Sequence, residues 1–166
     1  MTLYLYNINR PLTDTERAIL PAERVEKAER MSFDNDKALS LAVGFLLAKF
    51  GGRGVFHSIA HTREYAVLAV SDCPIGIDIE HSERNFRLKT MARCFTDEEI
   101  AWCNAASSNR LRIKRCIEIW TRLEARFKLC SANELPCDTD VAYNTFEYDG
   151  YLITTATQLD ALSTKI

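Results

Sequence analysis

Two stretches of the chain repeat one pattern, and that repetition constrains the fold more than any other feature. Residues 34–50 (DNDKALSLAVGFLLAKF) carry the periodicity of an amphipathic helix and end at Gly51-Gly52, a helix stop. Two strand candidates follow, Val55–Ala60 and Tyr65–Val70, separated by a short polar turn. About 80 residues further on, a second long helix is predicted over Leu111–Cys130. Its apolar residues Ile113, Cys116, Trp120, Leu123, Phe127 and Cys130 recur at alternating steps of three and four. Tyr143–Tyr148, an Asp149-Gly150 turn and Tyr151–Thr157 come next, and Asp-Gly between alternating runs signals a hairpin. Each half therefore reads as long helix, strand, tight turn, strand. The expected architecture is α+β and pseudo-two-fold, two helix-plus-antiparallel-sheet halves over about 1–74 and 75–166 forming one domain of 166 residues. Seams between such halves are natural ligand sites.

The remaining segments fit around this frame. Residues 2–8 (TLYLYNI) read as a first strand. Asp14 to Met31 is charged and helix-forming, with Pro21 suited to the first turn of a second helix. Thr96 and Glu99 have capping-box spacing. A net charge of -2 argues against a general nucleic-acid binder. No stretch nears the ~18 apolar residues of a membrane span, and MTLYLYNINRP lacks a basic n-region. A cytoplasmic monomer that binds neither nucleic acid nor membrane is expected. The six cysteines (Cys73, Cys94, Cys103, Cys116, Cys130, Cys137) include no C-x-x-C pair. Reduced, buried thiols are the expected state, since free Cys behaves as a small hydrophobe.

Chemistry concentrates in three places. In CPIGIDIEH (73–81), Ile75, Ile77 and Ile79 alternate with Gly76, Asp78 and Glu80, the period of a strand with one buried face. The two acids lie about 7 Å apart along that strand, at ~3.3 Å per residue. They form either a solvated outer face or two ligands converging on a cation, with Gly76 leaving room for a bulky anion. In WTRLEARFK, Trp120, Glu124 and Lys128 are four apart on one helix row. Glu124 and Lys128 are either a helix ion pair or, with Asp78 and Glu80, the carboxylates and lysine that a Mg²⁺–phosphate site needs. In VFHSIAHTREYAVLAV, His61 sits between two strands; a zinc site from His57 and His61 would need helical spacing in a segment that reads as strand.

Three blocks in this order resemble the Sfp-type 4'-phosphopantetheinyl transferases. HSIAHTREYAVLAV is similar to that family's Ser-His-Ser turn and following strand. PIGIDIE matches its Gly-Ile-Asp-Ile-Glu metal strand. FTDEEI with WTRLEARFKL resembles its downstream Phe-x-x-x-Glu and Trp-x-x-Lys-Glu-Ala-x-x-Lys helix. The resemblance implies the pseudo-two-fold fold read above. It also implies transfer of the phosphopantetheine arm of coenzyme A to a serine of an acyl, peptidyl or polyketide carrier protein, with release of 3',5'-ADP. By residue, it implies Asp78, Glu80 and Glu124 as ligands of Mg²⁺ (or Mn²⁺) and Glu124 as the base for the carrier serine. Lys128 would meet the pyrophosphate and His61 a coenzyme A phosphate, with Arg24 and Lys27 near the 3'-phosphate.

The pattern also departs from the family. Leu123 stands where the family has lysine, Ala60 where it has serine, and Ser40 where it has an arginine ahead of Gly44, with Lys37 one turn back. The Gly-Lys-Pro loop shortens to Gly51-Gly52-Arg53-Gly54, leaving Arg53 as the one residue able to serve there. These departures fall on coenzyme A binding, and the carboxylates are intact. Two other readings follow: a non-catalytic homologue that binds carrier or coenzyme A, and a Mg²⁺-dependent phosphohydrolase. RLRIKR (110–115) offers four basic side chains to an acidic partner, or a solvated helix end.

Overall fold

A computed structural model of the chain describes residues 1–84, 92–136 and 138–159. Strand β1 (Thr2–Asn7) leads to helices α1 (Asp14–Ala18), α2 (Ala22–Glu29) and α3 (Asp34–Phe50), then to strands β2 (Phe56–His61) and β3 (Tyr65–Ser71). The second half repeats the plan: β4 (Ile75–His81), α4 (Asp97–Asn104), α5 (Asn109–Asn133), β5 (Val141–Tyr148) and β6 (Tyr151–Gln158). Both sheets are antiparallel with three strands, ordered β1-β3-β2 and β4-β6-β5. The duplication expected from the sequence is therefore present, and its unit is larger than the helix and hairpin. Each half opens with a strand that pairs with the last strand of its own hairpin.

Local chemistry sets the boundaries. α3 ends at Phe50 before Gly51, and Pro21 occupies the cap position of α2 rather than its first turn. Asp149 and Gly150 both take positive φ, 49° and 78°, and Tyr148 pairs with Tyr151, so the turn is the two-residue hairpin loop predicted. The capping box at α4 is formed: Thr96 Oγ1 accepts from Glu99 N at 3.2 Å, and Glu99 Oε2 accepts from Thr96 N at 2.9 Å. Thr96→Ala should lower stability by about 1 kcal/mol in urea denaturation.

Both faces of β3 are buried. Ala66, Leu68 and Val70 pack under α3 with Phe45 and Leu46, while Tyr65, Val67 and Ala69 meet Ile75, Ile77, Ile79 and Ile153 of the second sheet. The layers therefore run helix, sheet, sheet, helix. The edge strands β2 and β4 meet at the seam, where Ile77 N–H donates to Ser58 Oγ at 3.2 Å.

The thiols are more varied than expected. Cys103 and Cys116 are buried with their sulfurs 3.1 Å apart, joining α4 to α5, and burial followed by the neighbouring thiol pushes Cys116 up to about 12. Cys73 and Cys130 are half-buried and Cys94 is exposed; all five are reduced, and Cys137 lies outside the described residues.

Candidate functional site at the seam

Helix α5 lies directly on β4. A Cβ added to Gly76 would stand 1.9 Å from the Ala125 carbonyl oxygen and 2.6 Å from Leu129 N. The room at Gly76 is thus filled by helix backbone, and the expectation that an anion would enter there is corrected. The contact also fixes helix register, because Glu124 and Lys128 directly precede the two residues that touch the glycine.

Close approach decides which side of α5 is buried. Ile117, Thr121, Ala125 and Leu129, at steps of four, are fully buried on the sheet. Thr121 Oγ1 shares a 2.8 Å hydrogen bond with Thr154 Oγ1. Ile113, Cys116, Trp120 and Leu123 join the packing as expected from the periodicity. Phe127 does not: it is 68% exposed, because a helix pressed onto a strand admits threonine and alanine at the contact and turns a bulky ring outward.

Asp78 is the centre of the site. It is 8% exposed, so the face carrying the acids is covered by α5 and is no solvated outer face. Its Oδ1 accepts from Lys128 Nζ at 2.8 Å, and the same ammonium donates to Ile77 O at 3.0 Å. Its Oδ2 is buried without any partner. Burial pushes its carboxyl up to about 6 against the opposing pull of Lys128, with the nearby charges of Glu80 and Glu124 adding to the rise. Glu80 is half-buried and accepts from Arg84, a partner four residues on that sequence reasoning missed. Glu124 is half-buried.

These residues suit a divalent cation chemically: three acids lie within electrostatic reach, and one buried carboxylate oxygen lacks a partner. They do not yet converge. Among the described residues no three ligating side chains meet at a point, and Lys128 and Arg84 supply the positive charge.

His61 closes the seam as the last residue of β2, not within the turn. Although one side of it meets solvent, desolvation and then the Lys128 charge lower its pKa, while Glu80 opposes. It also borders a pocket of about 630 Å³ that Arg24 and Lys27 line from α2 and Ser40 from α3. Residues 34 or more positions apart in the chain thus share one cavity. Among the described residues neither Arg24 nor Lys27 has an ion pair; Glu26 pairs with Arg30 instead, at 3.5 Å. Lys37 does not line the pocket. Arg53 stands elsewhere, over the Phe50 ring at 4.9 Å and beside a separate cavity with Tyr4, Ser71 and Asp72. His57 and His61 lie on a strand, as expected.

The basic run at the start of α5 is engaged internally. Arg110 pairs with Glu83, Lys114 with Glu147, Arg112 with Asn109, and Arg115 with the Trp102 carbonyl.

Comparison with known proteins falls on the same elements. Residues 74–142, which contain β4 and α5, match the model of the 4'-phosphopantetheinyl transferase superfamily. A 4'-phosphopantetheinyl transferase, gsp, from Aneurinibacillus migulanus is 30% identical over 74 residues, 45% of this chain and 30% of that relative. The matched stretch is therefore under a third of the relative's length. The strand that carries Asp78 and the helix that carries Glu124 and Lys128 are thus similar to the 4'-phosphopantetheinyl transferase superfamily, over a stretch that is less than half of the chain.

Proposed function

We propose that this protein, as one domain of Sfp type, transfers the 4'-phosphopantetheine arm of coenzyme A to a serine of an acyl, peptidyl or polyketide carrier protein. The observation that carries the proposal is the junction at His61, where the Asp78–Lys128 cluster adjoins the pocket lined by Arg24 and Lys27. One end suits the nucleotide half of coenzyme A and the other suits its pyrophosphate.

In the reaction, the carrier serine oxygen bonds to the phosphorus bearing the pantetheine arm. The bond from that phosphorus to the bridging oxygen breaks, and 3',5'-ADP leaves. Glu124 takes the serine proton. Lys128 neutralises charge on the pyrophosphate, and Arg24 and Lys27 do so at the nucleotide. Desolvation and the Lys128 charge disfavour the protonated form of His61, which serves as a hydrogen-bonding group. Asp78, Glu80 and Glu124 would hold Mg²⁺ or Mn²⁺, which supplies further neutralisation of the pyrophosphate. Arg53 has no place in this pocket and is left out of the proposed set. At 110–115, Arg110 and Lys114 are paired with carboxylates, whereas Arg112 and Arg115 bond neutral oxygens and keep their charge for a partner.

The test is release of 3',5'-ADP from coenzyme A, followed chromatographically. Release that requires a carrier protein and a divalent cation supports transfer. Release without a carrier would indicate a phosphohydrolase, and binding without release a non-catalytic homologue.

A further inference from the structure

The β2–β3 turn and the β5–β6 turn hold each other across the seam. Tyr65, the first residue of β3, donates its hydroxyl to Asp149 Oδ2 of the β5–β6 turn at 2.5 Å and accepts from Asn7 Nδ2 at 3.4 Å. Tyr151, the first residue of β6, returns the bond: its hydroxyl donates to the Glu64 carboxylate in the β2–β3 turn and accepts from the Thr62 side chain. β3 and β6 are the central strands of the two sheets, so the tyrosines occupy equivalent places in the duplicated halves. Their rings meet edge to face with centroids 5.2 Å apart. Each half thus gives one tyrosine and receives one on a carboxylate, the reciprocity of a two-fold interface within a single chain.

This contact stands between the two sides of the site. His61 ends β2, and Thr62 follows it. Thr62 Oγ1 accepts from Glu64 N at 3.2 Å and Tyr65 N at 3.1 Å, and Thr62 N donates to Tyr65 O at 2.7 Å, so the turn moves as one unit. On the other side, Tyr151 pairs in register with His81, the residue after Glu80, and their rings lie 4.9 Å apart. The strands that carry His61 and Glu80 are edges of different sheets, and no backbone ladder sets one against the other. Both tyrosines are buried, whereas Glu64 and Asp149 are exposed.

We propose that Tyr65 and Tyr151 are positioning residues, a reciprocal clasp that holds His61 of the first half against the Asp78–Lys128 cluster of the second. The role rests on the coenzyme A reading above, in which His61 is a hydrogen-bonding group for that substrate. Neither tyrosine touches the substrate; both act through the turn that follows His61.

The experiment is calorimetric titration of coenzyme A into wild type, Tyr151→Phe, His61→Ala and the double variant. Tyr151→Phe keeps the ring and leaves behind only an exposed carboxylate, so the fold should survive it. Tyr151→Phe is expected to weaken binding about fivefold, the net worth of one hydrogen bond. In the His61→Ala background the same change should cost less than about twofold, because the residue it acts through is gone. Tyr65→Phe should behave alike. Without ligand, the His61 imidazole NMR signal should move in Tyr151→Phe while that of His57, on the same strand, stays in place. An equal loss in both backgrounds makes Tyr151 a general support of the fold and overturns the positioning role. Unchanged affinity with an unmoved His61 signal also overturns it, and leaves the coenzyme A reading standing if wild type binds. A wild type that does not bind coenzyme A overturns both.

Discussion

Gly76→Ala is expected to cost about 3–5 kcal/mol in urea denaturation and to remove any activity that depends on Asp78. Replacing glycine by alanine in a strand ordinarily helps, by about 0.5–1 kcal/mol, because the unfolded chain loses freedom. Here the sign reverses. The new methyl would overlap the Ala125 carbonyl oxygen and Leu129 N, both backbone atoms that cannot rotate aside. Relief requires α5 to lift from β4. That movement would open the Thr121–Thr154 hydrogen bond and draw Lys128 away from Asp78. Gly52→Ala is the control: nothing lies within 4 Å of its added carbon, and stability should hold within about 0.5 kcal/mol.

Asp78→Asn should separate activity from stability. Activity is expected to fall about 10³-fold in kcat/KM, because a cation ligand and a fixed negative charge are both lost. Stability of the metal-free protein should instead rise. The folded carboxyl titrates at about 6 and the reference value is 3.8, so between those pH values the folded state holds a proton that the unfolded state lacks. Wild-type stability therefore falls as pH rises from about 4 through 6 and then levels, a loss of about 1–3 kcal/mol by neutral pH. Asparagine keeps the shape and an acceptor for Lys128 but carries no buried charge. Melting curves across pH 4–8 should show a flatter profile for Asp78→Asn. Added Mg²⁺ should stabilise wild type and leave the variant unmoved.

How far the sequence discloses this arrangement depends on whether a feature is local. The bounds of α3, the Thr96–Glu99 box and the Asp149-Gly150 turn are set by neighbouring residues, and they were legible. Asp78 and Lys128 stood out in the sequence by residue type, and Lys128 does meet Asp78. Tertiary approach was not legible. Nothing in GIDIE says whether the space beside Gly76 belongs to a ligand or a helix. Steps of three and four could not show that the sheet would select the Thr121–Ala125 side and expose Phe127. Arg24, Lys27 and His61 share a pocket only because α2 docks on α3 and α3 on the first sheet, whereas Arg53, eight residues before His61, is carried elsewhere. Ser40 looks like a mere loss of charge in the sequence, and the burial of its hydroxyl without a partner appears only in three dimensions.

The most direct measurement is the intact mass of an apo carrier protein after incubation with this protein, coenzyme A and Mg²⁺, beside Asp78→Ala and Glu124→Ala. A gain of one phosphopantetheine on the carrier with wild type, absent from both variants, is the expected result. An unchanged carrier mass across several carrier classes, while coenzyme A still binds, would contradict transfer. A gain that persists in both variants would contradict the assignment of the site to the seam.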